Sequence, residues 1–139
     1  MRGDLFYVDS NVFIFPIIYD VAAVPEARKS RGFLLEIALG RIEAYTSTLT
    51  WDEVTWIVRR LLGMDISLRL GRRFLSFPNL KFLAVKGTTL LKAQEIMEEY
   101  ELKPRDSIHA AVALENKITT IVSYDEDFDK LNMIKRVEP

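Results

Sequence analysis

Short apolar segments rich in β-branched and aromatic residues alternate with helical ones along this chain, and two of them run directly into aspartates. Leu5-Phe6-Tyr7-Val8 leads into Asp9-Ser10-Asn11, and the segment from Lys117 to Val122 leads into Ser123-Tyr124-Asp125-Glu126-Asp127. Strands that are apolar on both sides suit a parallel sheet covered on both faces. Their alternation with helices predicts an α/β fold with right-handed crossovers. In such sheets ligands bind outside the carboxyl ends of the strands. Acids at those ends are therefore candidates for chemistry.

Taken in order, Ser10 or Asn11 caps a helical segment that Pro16 limits, and residues 16–25 form a loop bounded by two prolines. Pro25 opens a helix running to Gly40, with an apolar stripe of Phe33, Leu34, Ile37 and Ala38. Ile42 to Thr48 is a second strand. Thr50-Trp51-Asp52-Glu53 matches a capping box opening a helix over 51–62, which Gly63 ends. Asp65 caps a helix over 66–76. After the Pro78-Asn79 turn, Leu80 to Val85 is a third strand. Thr88 or Thr89 starts a helix to Tyr100, and Lys103-Pro104 restarts the chain as a helix over 104–116. Lys117 to Val122 is the fourth strand and Met133 to Val137 a short fifth. No repeat or linker interrupts the series, so residues 1–139 read as one domain: a single-domain α/β/α sandwich with a parallel sheet of 4–5 strands.

Composition narrows the chemistry. With no cysteine, disulfides, thiolate metal sites and a cysteine nucleophile are excluded. No signal peptide and no membrane span are legible, so the expected compartment is the cytoplasm. A net charge of −1 gives no global attraction to nucleic acid. Arginines nevertheless crowd the first half, among them Arg59, Arg60, Arg72 and Arg73, while the second half is acidic. A basic rim beside an acidic centre suits a phosphodiester substrate, although solvated helix faces explain each single residue.

Four acids fall at one sheet edge: Asp9 after the first strand, Glu53 in the helix after the second, Asp106 opening the helix before the fourth, and Asp125 after it. Each has a structural alternative. Asp9 or Asp125 serves as a helix cap, Glu53 folds back on the Thr50 backbone, and Asp106 gains from the helix dipole. The sole histidine, His109, reads as a packed, hydrogen-bonded residue rather than a ligand or base. Asp125, Asp127 and Asp129 have the spacing of a calcium loop, but Lys130 and Arg136 stand where that loop needs glycine and glutamate. An all-oxygen set suits Mg²⁺ or Mn²⁺ rather than zinc, with one or two ions. No phosphate-binding glycine loop and no serine elbow are present.

These residues resemble the PIN domain, in particular the VapC-type toxins. The resemblance rests on Tyr7-Val8-Asp9-Ser10-Asn11, on Thr46 to Val54, on Leu102 to Ala111 and on Ile121 to Phe128, and spans essentially the whole chain. It implies a sheet ordered 3-2-1-4-5. It implies that Asp9, Glu53, Asp106 and Asp125 hold Mg²⁺ or Mn²⁺, with Asp127 as an additional ligand and Ser10, Asn11 and Ser123 supporting them. It implies an endoribonuclease that cleaves single-stranded RNA through metal-activated water, a homodimer, and a small VapB-type antitoxin over the active site. The loop over 16–25 departs from the toxin pattern. Two alternatives stay open: a PIN nuclease of RNA maturation without an antitoxin, and a catalytically silent PIN-like module that binds RNA or protein.

Overall fold

The computed structural model describes residues 4–139; residues 1–3 of the expected domain lie outside the described residues. Five strands form one sheet: β1 (Leu5–Val8), β2 (Glu43–Ser47), β3 (Leu80–Leu83), β4 (Thr120–Val122) and β5 (Lys135–Val137). All neighbours are parallel and the order is β3-β2-β1-β4-β5, as the sequence leads one to expect. The helices are α1 (Ser10–Ile18), α2 (Pro25–Ala38), α3 (Thr48–Leu62), α4 (Met64–Leu75), α5 (Gly87–Tyr100) and α6 (Pro104–Glu115), followed by a 3₁₀ turn, Glu126–Lys130.

The pleat of β1 sends alternate side chains to opposite faces. Tyr7 packs with Ile121 and the residues of α5 and α6 in one core. Val8 packs with Ala44, Val122 and residues of α1, α3 and α4 in the other. Two helical layers thus enclose a sheet whose central strand is β1. Helix α6 lies close because Ala110, Ala111 and Ala113 are small, and all three are buried.

Several local expectations fail; Asp65, expected as a cap, lies inside the first turn of α4, whose cap position is Gly63. Helix α1 continues through Pro16 to Ile18, so the irregular segment covers only 19–24. Proline removes one helical hydrogen bond, but Phe13, Ile14 and Ile17 pack into the core and hold the helix. No capping box forms at Thr50. Helix α3 already starts at Thr48, which puts Glu53 well inside it, and the Thr50 hydroxyl pairs with that of Thr46 at 2.7 Å. Finally β4 starts at Thr120, because Lys117 takes a left-handed conformation (φ 58°) to end the turn after α6.

Thr46 ties the layers together. Its hydroxyl donates to the Val8 carbonyl at 2.8 Å and therefore accepts from Thr50. That pair joins β1, β2 and the start of α3 in a buried place. Thr46→Val keeps the shape and removes both bonds. It is expected to lower stability by about 1–3 kcal/mol in a urea titration.

Candidate metal centre

The carboxyl edge of the sheet gathers acids from both halves of the chain. Asp9 follows β1 and is only 3 % exposed. It is itself the cap of α1, contrary to the expectation that Ser10 or Asn11 would free it: its Oδ1 accepts from the Ser10 N–H at 2.8 Å. Its Oδ2 accepts from the Ser123 hydroxyl at 2.6 Å. Capping and site-building are combined in one carboxylate.

Ser123 is the knot of this edge. While donating to Asp9, its oxygen accepts from the Asp125 N–H at 2.9 Å and from the Asn11 side-chain amide at 3.2 Å. The Asn11 carbonyl oxygen in turn accepts from the Tyr124 N–H. The loop after β4 is thereby latched to the loop after β1. Ser10 contributes its N–H, and its hydroxyl lies 3.5 Å from Asp9.

Two groups of side chains could each hold an ion. One is Asp9, Glu53 and His109, the other Asp106, Asp125 and Asp127; within each group one ligand atom per residue lies within 4.8 Å of the others. Asp125 also does the capping work expected of it, accepting from the Asp127 N–H at 2.9 Å at the start of the 3₁₀ turn. Of the remaining acids, Glu126 is exposed and Asp129 pairs at the surface with Arg136 at 3.0 Å.

His109 is the member that sequence reasoning left out. It is packed and hydrogen-bonded, as read, but its partners are the site itself. Nε2 lies 2.5 Å from Glu53 Oε1 and 3.6 Å from Asp9 Oδ1, and Nδ1 lies 2.6 Å from the Tyr7 hydroxyl. The available signal was its spacing of three from Asp106, which puts both on one side of α6.

Electrostatics follow from crowding. Burial raises the Asp9 carboxyl above its usual range; His109 and the Ser123 hydrogen bond oppose this, and the Glu53 charge adds to it. Asp106 is pushed up to about 7, first by burial, then by the charges of Asp125 and Asp9, against the pull of His109. Burial depresses His109, but Tyr7, the Glu53 hydrogen bond and the charges of Asp9 and Glu53 prevail, and it stands well above the ordinary imidazole value. Buried like charges of this kind are relieved by a bound cation.

The four arginines do not join the acids. Arg59, Arg72 and Arg73 line a groove of about 1100 Å³ between α3 and α4, together with Trp51, Trp56 and Arg69. Arg60 stacks over the Trp56 ring at 5.4 Å. The same hairpin exposes an apolar surface that the sequence reading did not anticipate, including Leu61, Met64, Leu68 and Leu75. Among the described residues no helix is long and apolar enough to cross a membrane.

Comparison with known proteins identifies the family and the fold. The family model described as the PIN domain matches residues 6–133. Ribonuclease VapC2 of Methanocaldococcus jannaschii is 22% identical, over 99% of this chain and 96% of its own. Among solved structures, the Mycobacterium tuberculosis toxin VapC20, described as cleaving the sarcin-ricin loop, superposes with a TM-score of 0.75 at 14% identity, covering 96% of this chain and 99% of its own. VapBC2 of Rickettsia felis, bound to a promoter DNA fragment, gives a TM-score of 0.73 at 14% identity, covering 96% and 98%.

The raised carboxyls set the pH behaviour of the metal-free protein. Between the ordinary value of 3.8 and about 7, folded Asp106 keeps a proton that the unfolded chain has lost. Stability therefore falls as pH rises through that window. His109 acts in the same direction, because its contribution is present below the unfolded imidazole value and is lost as pH climbs through the raised folded one. Thermal melts in the presence of a chelator are expected to show a midpoint that declines from about pH 5 to about pH 8, with a shallower decline in Asp106→Asn.

Proposed function

The chain belongs to the PIN domain family, and on that premise we propose that it is a metal-dependent endoribonuclease that cleaves single-stranded RNA, acting as the toxin of a VapBC-type toxin–antitoxin pair. The observation that carries this reading is the convergence of carboxylates from both halves of the chain on one sheet edge, in two groups with ligand spacing.

The donor set fits a hard divalent cation. It is oxygen throughout apart from one imidazole, and burial and mutual repulsion already hold two of its carboxyls above their usual range. Such a set suits Mg²⁺ or Mn²⁺. Asp9, Glu53, Asp106 and Asp125 would hold one or two ions, with Asp127 as an additional ligand. When bound, the metal supplies an acidified water and neutralises charge developing at the phosphate. The protein's own task is positioning. Ser123 orients Asp9, Asn11 steadies Ser123, and the burial of Asp9 keeps competing water away from it.

The groove between α3 and α4 supports an RNA path. Its arginines offer charge-assisted contacts to phosphates, and its tryptophans offer faces on which bases stack. The exposed apolar residues of the same hairpin support a protein partner, since patches of this kind mark interaction surfaces. We assign them to a homodimer contact or to the antitoxin, in keeping with the similarity of this fold to VapBC2 of Rickettsia felis. The proposed compartment is the cytoplasm.

RNA cleavage assayed with Mg²⁺, Mn²⁺ or a chelator tests the reading. Activity is expected with either ion and not with the chelator. Asp106→Asn is expected to lose more than about a hundredfold, while the surface variant Asp129→Asn stays near the native rate. Equal rates for native protein and Asp106→Asn would remove Asp106 from the site. A native chain inert with both ions would point to a silent binding module. A small reading frame beside this one, encoding a DNA-binding protein, is the expected sign of an antitoxin, and its absence favours an RNA-maturation nuclease.

A further inference from the structure

The site contains one buried group to which the proposed reading gives no task. His109 is fully buried, and both its ring nitrogens are engaged. It stands on α6, on the far side of the sheet from α3, which carries Glu53. Glu53 has three rotatable side-chain bonds, and the only hydrogen-bond partner the described residues give it is His109 Nε2, at 2.5 Å. Without that contact nothing on its own helix would aim it at the other acids.

We propose that His109 is a positioning residue: Tyr7 holds the imidazole from β1, and the imidazole Nε2–H holds the Glu53 carboxylate, so that Tyr7, His109 and Glu53 form a fixed relay presenting Glu53 to the metal. The proposal rests on the metal-site reading above. The Tyr7 hydroxyl has one partner, His109 Nδ1, at 2.6 Å. With the Tyr7 hydroxyl donating to Nδ1, the proton of a neutral ring sits on Nε2; in an imidazolium both nitrogens carry protons. Either way Nε2–H faces Glu53. Asp9 Oδ1, at 3.6 Å from the same nitrogen, is too far for a good hydrogen bond. The ring therefore sits between the two acids and commits its proton to Glu53. Metal-binding carboxylates are commonly steadied by such partners, whose loss costs about 10- to 100-fold in metal affinity. The rival role is direct ligation, which requires Nε2 to be free of its proton.

The chain contains a single histidine, so nitrogen-15 histidine labelling reports this ring alone. Proton–nitrogen correlation spectra are expected to show a proton on Nε2 in the metal-free protein and after saturation with Mg²⁺. Loss of that proton on adding Mg²⁺ would make His109 a ligand and overturn the proposal. Mn²⁺ affinity, measured without RNA, gives the second readout. His109→Leu is expected to weaken it by about 10- to 100-fold. His109→Gln, which keeps a donor, should recover at least part of the loss, and Tyr7→Phe should fall between native and His109→Leu. Circular dichroism melts identify which variants are folded. Native affinity in folded His109→Leu, or no recovery in folded His109→Gln, would also overturn the relay. The two readings fail separately: a native chain that binds Mn²⁺ and keeps Nε2–H but cuts no RNA sinks the nuclease alone, whereas an active nuclease with a ligating His109 sinks the relay alone.

Discussion

Asp9 is a carboxylate placed where water scarcely reaches, and the neighbouring structure is arranged around that fact. A buried charge is tolerated only with hydrogen bonds and partners. Asp9 receives a backbone N–H from Ser10 and a hydroxyl from Ser123, with the His109 ring 3.6 Å away. These contacts fix where the loops after β1 and β4 run, and therefore where Asp125 stands. They do not fully offset burial, since Asp9 and Asp106 both remain harder to ionise than ordinary aspartates. The folded chain thus keeps an electrostatic deficit at one edge, which a cation would correct.

The sheet makes this possible because β1 is central. Its neighbours are β2 on one side and β4 on the other. The segments leaving β1, β2 and β4 consequently open at one edge, from opposite sides of the strand that carries Asp9. The alternation of Tyr7 and Val8 matters as much as Asp9 itself. Val8 seals the core beneath α1 and α3, while Tyr7 reaches into the other core and there meets His109. A residue of the second core is thereby brought to acids on the first.

Much of this was legible in the sequence, for reasons that are local. The strands announce themselves by β-branched and aromatic runs, and the acids by their position where those runs end. Asp9, Glu53, Asp106 and Asp125 do converge on the expected edge, and Ser123 and Asn11 do lie among them. Where local signals mislead, distant packing explains it. The capping-box pattern at Thr50 is real as a pattern, but Thr46 captures the hydroxyl and α3 starts earlier. Pro16 should break a helix, but the core holds α1 on both sides of it. His109 in an alanine-rich helix looks like packing until Tyr7, 102 residues away, turns its ring toward Glu53. The arginines could be grouped by sequence but not located, because their common groove exists only once α3 and α4 fold back on each other.

The Ser123–Asp9 hydrogen bond spans 114 residues. Parallel pairing of β1 with β4 must come first, and pairings so distant in sequence form slowly, because chain entropy is lost before contacts return it. On a ribosome the first half of the protein would emerge with Asp9 and Glu53 but without their counterparts. The acidic edge can close only after β4 has left the exit tunnel. The two halves of the acidic edge meet only once β4 has paired with β1.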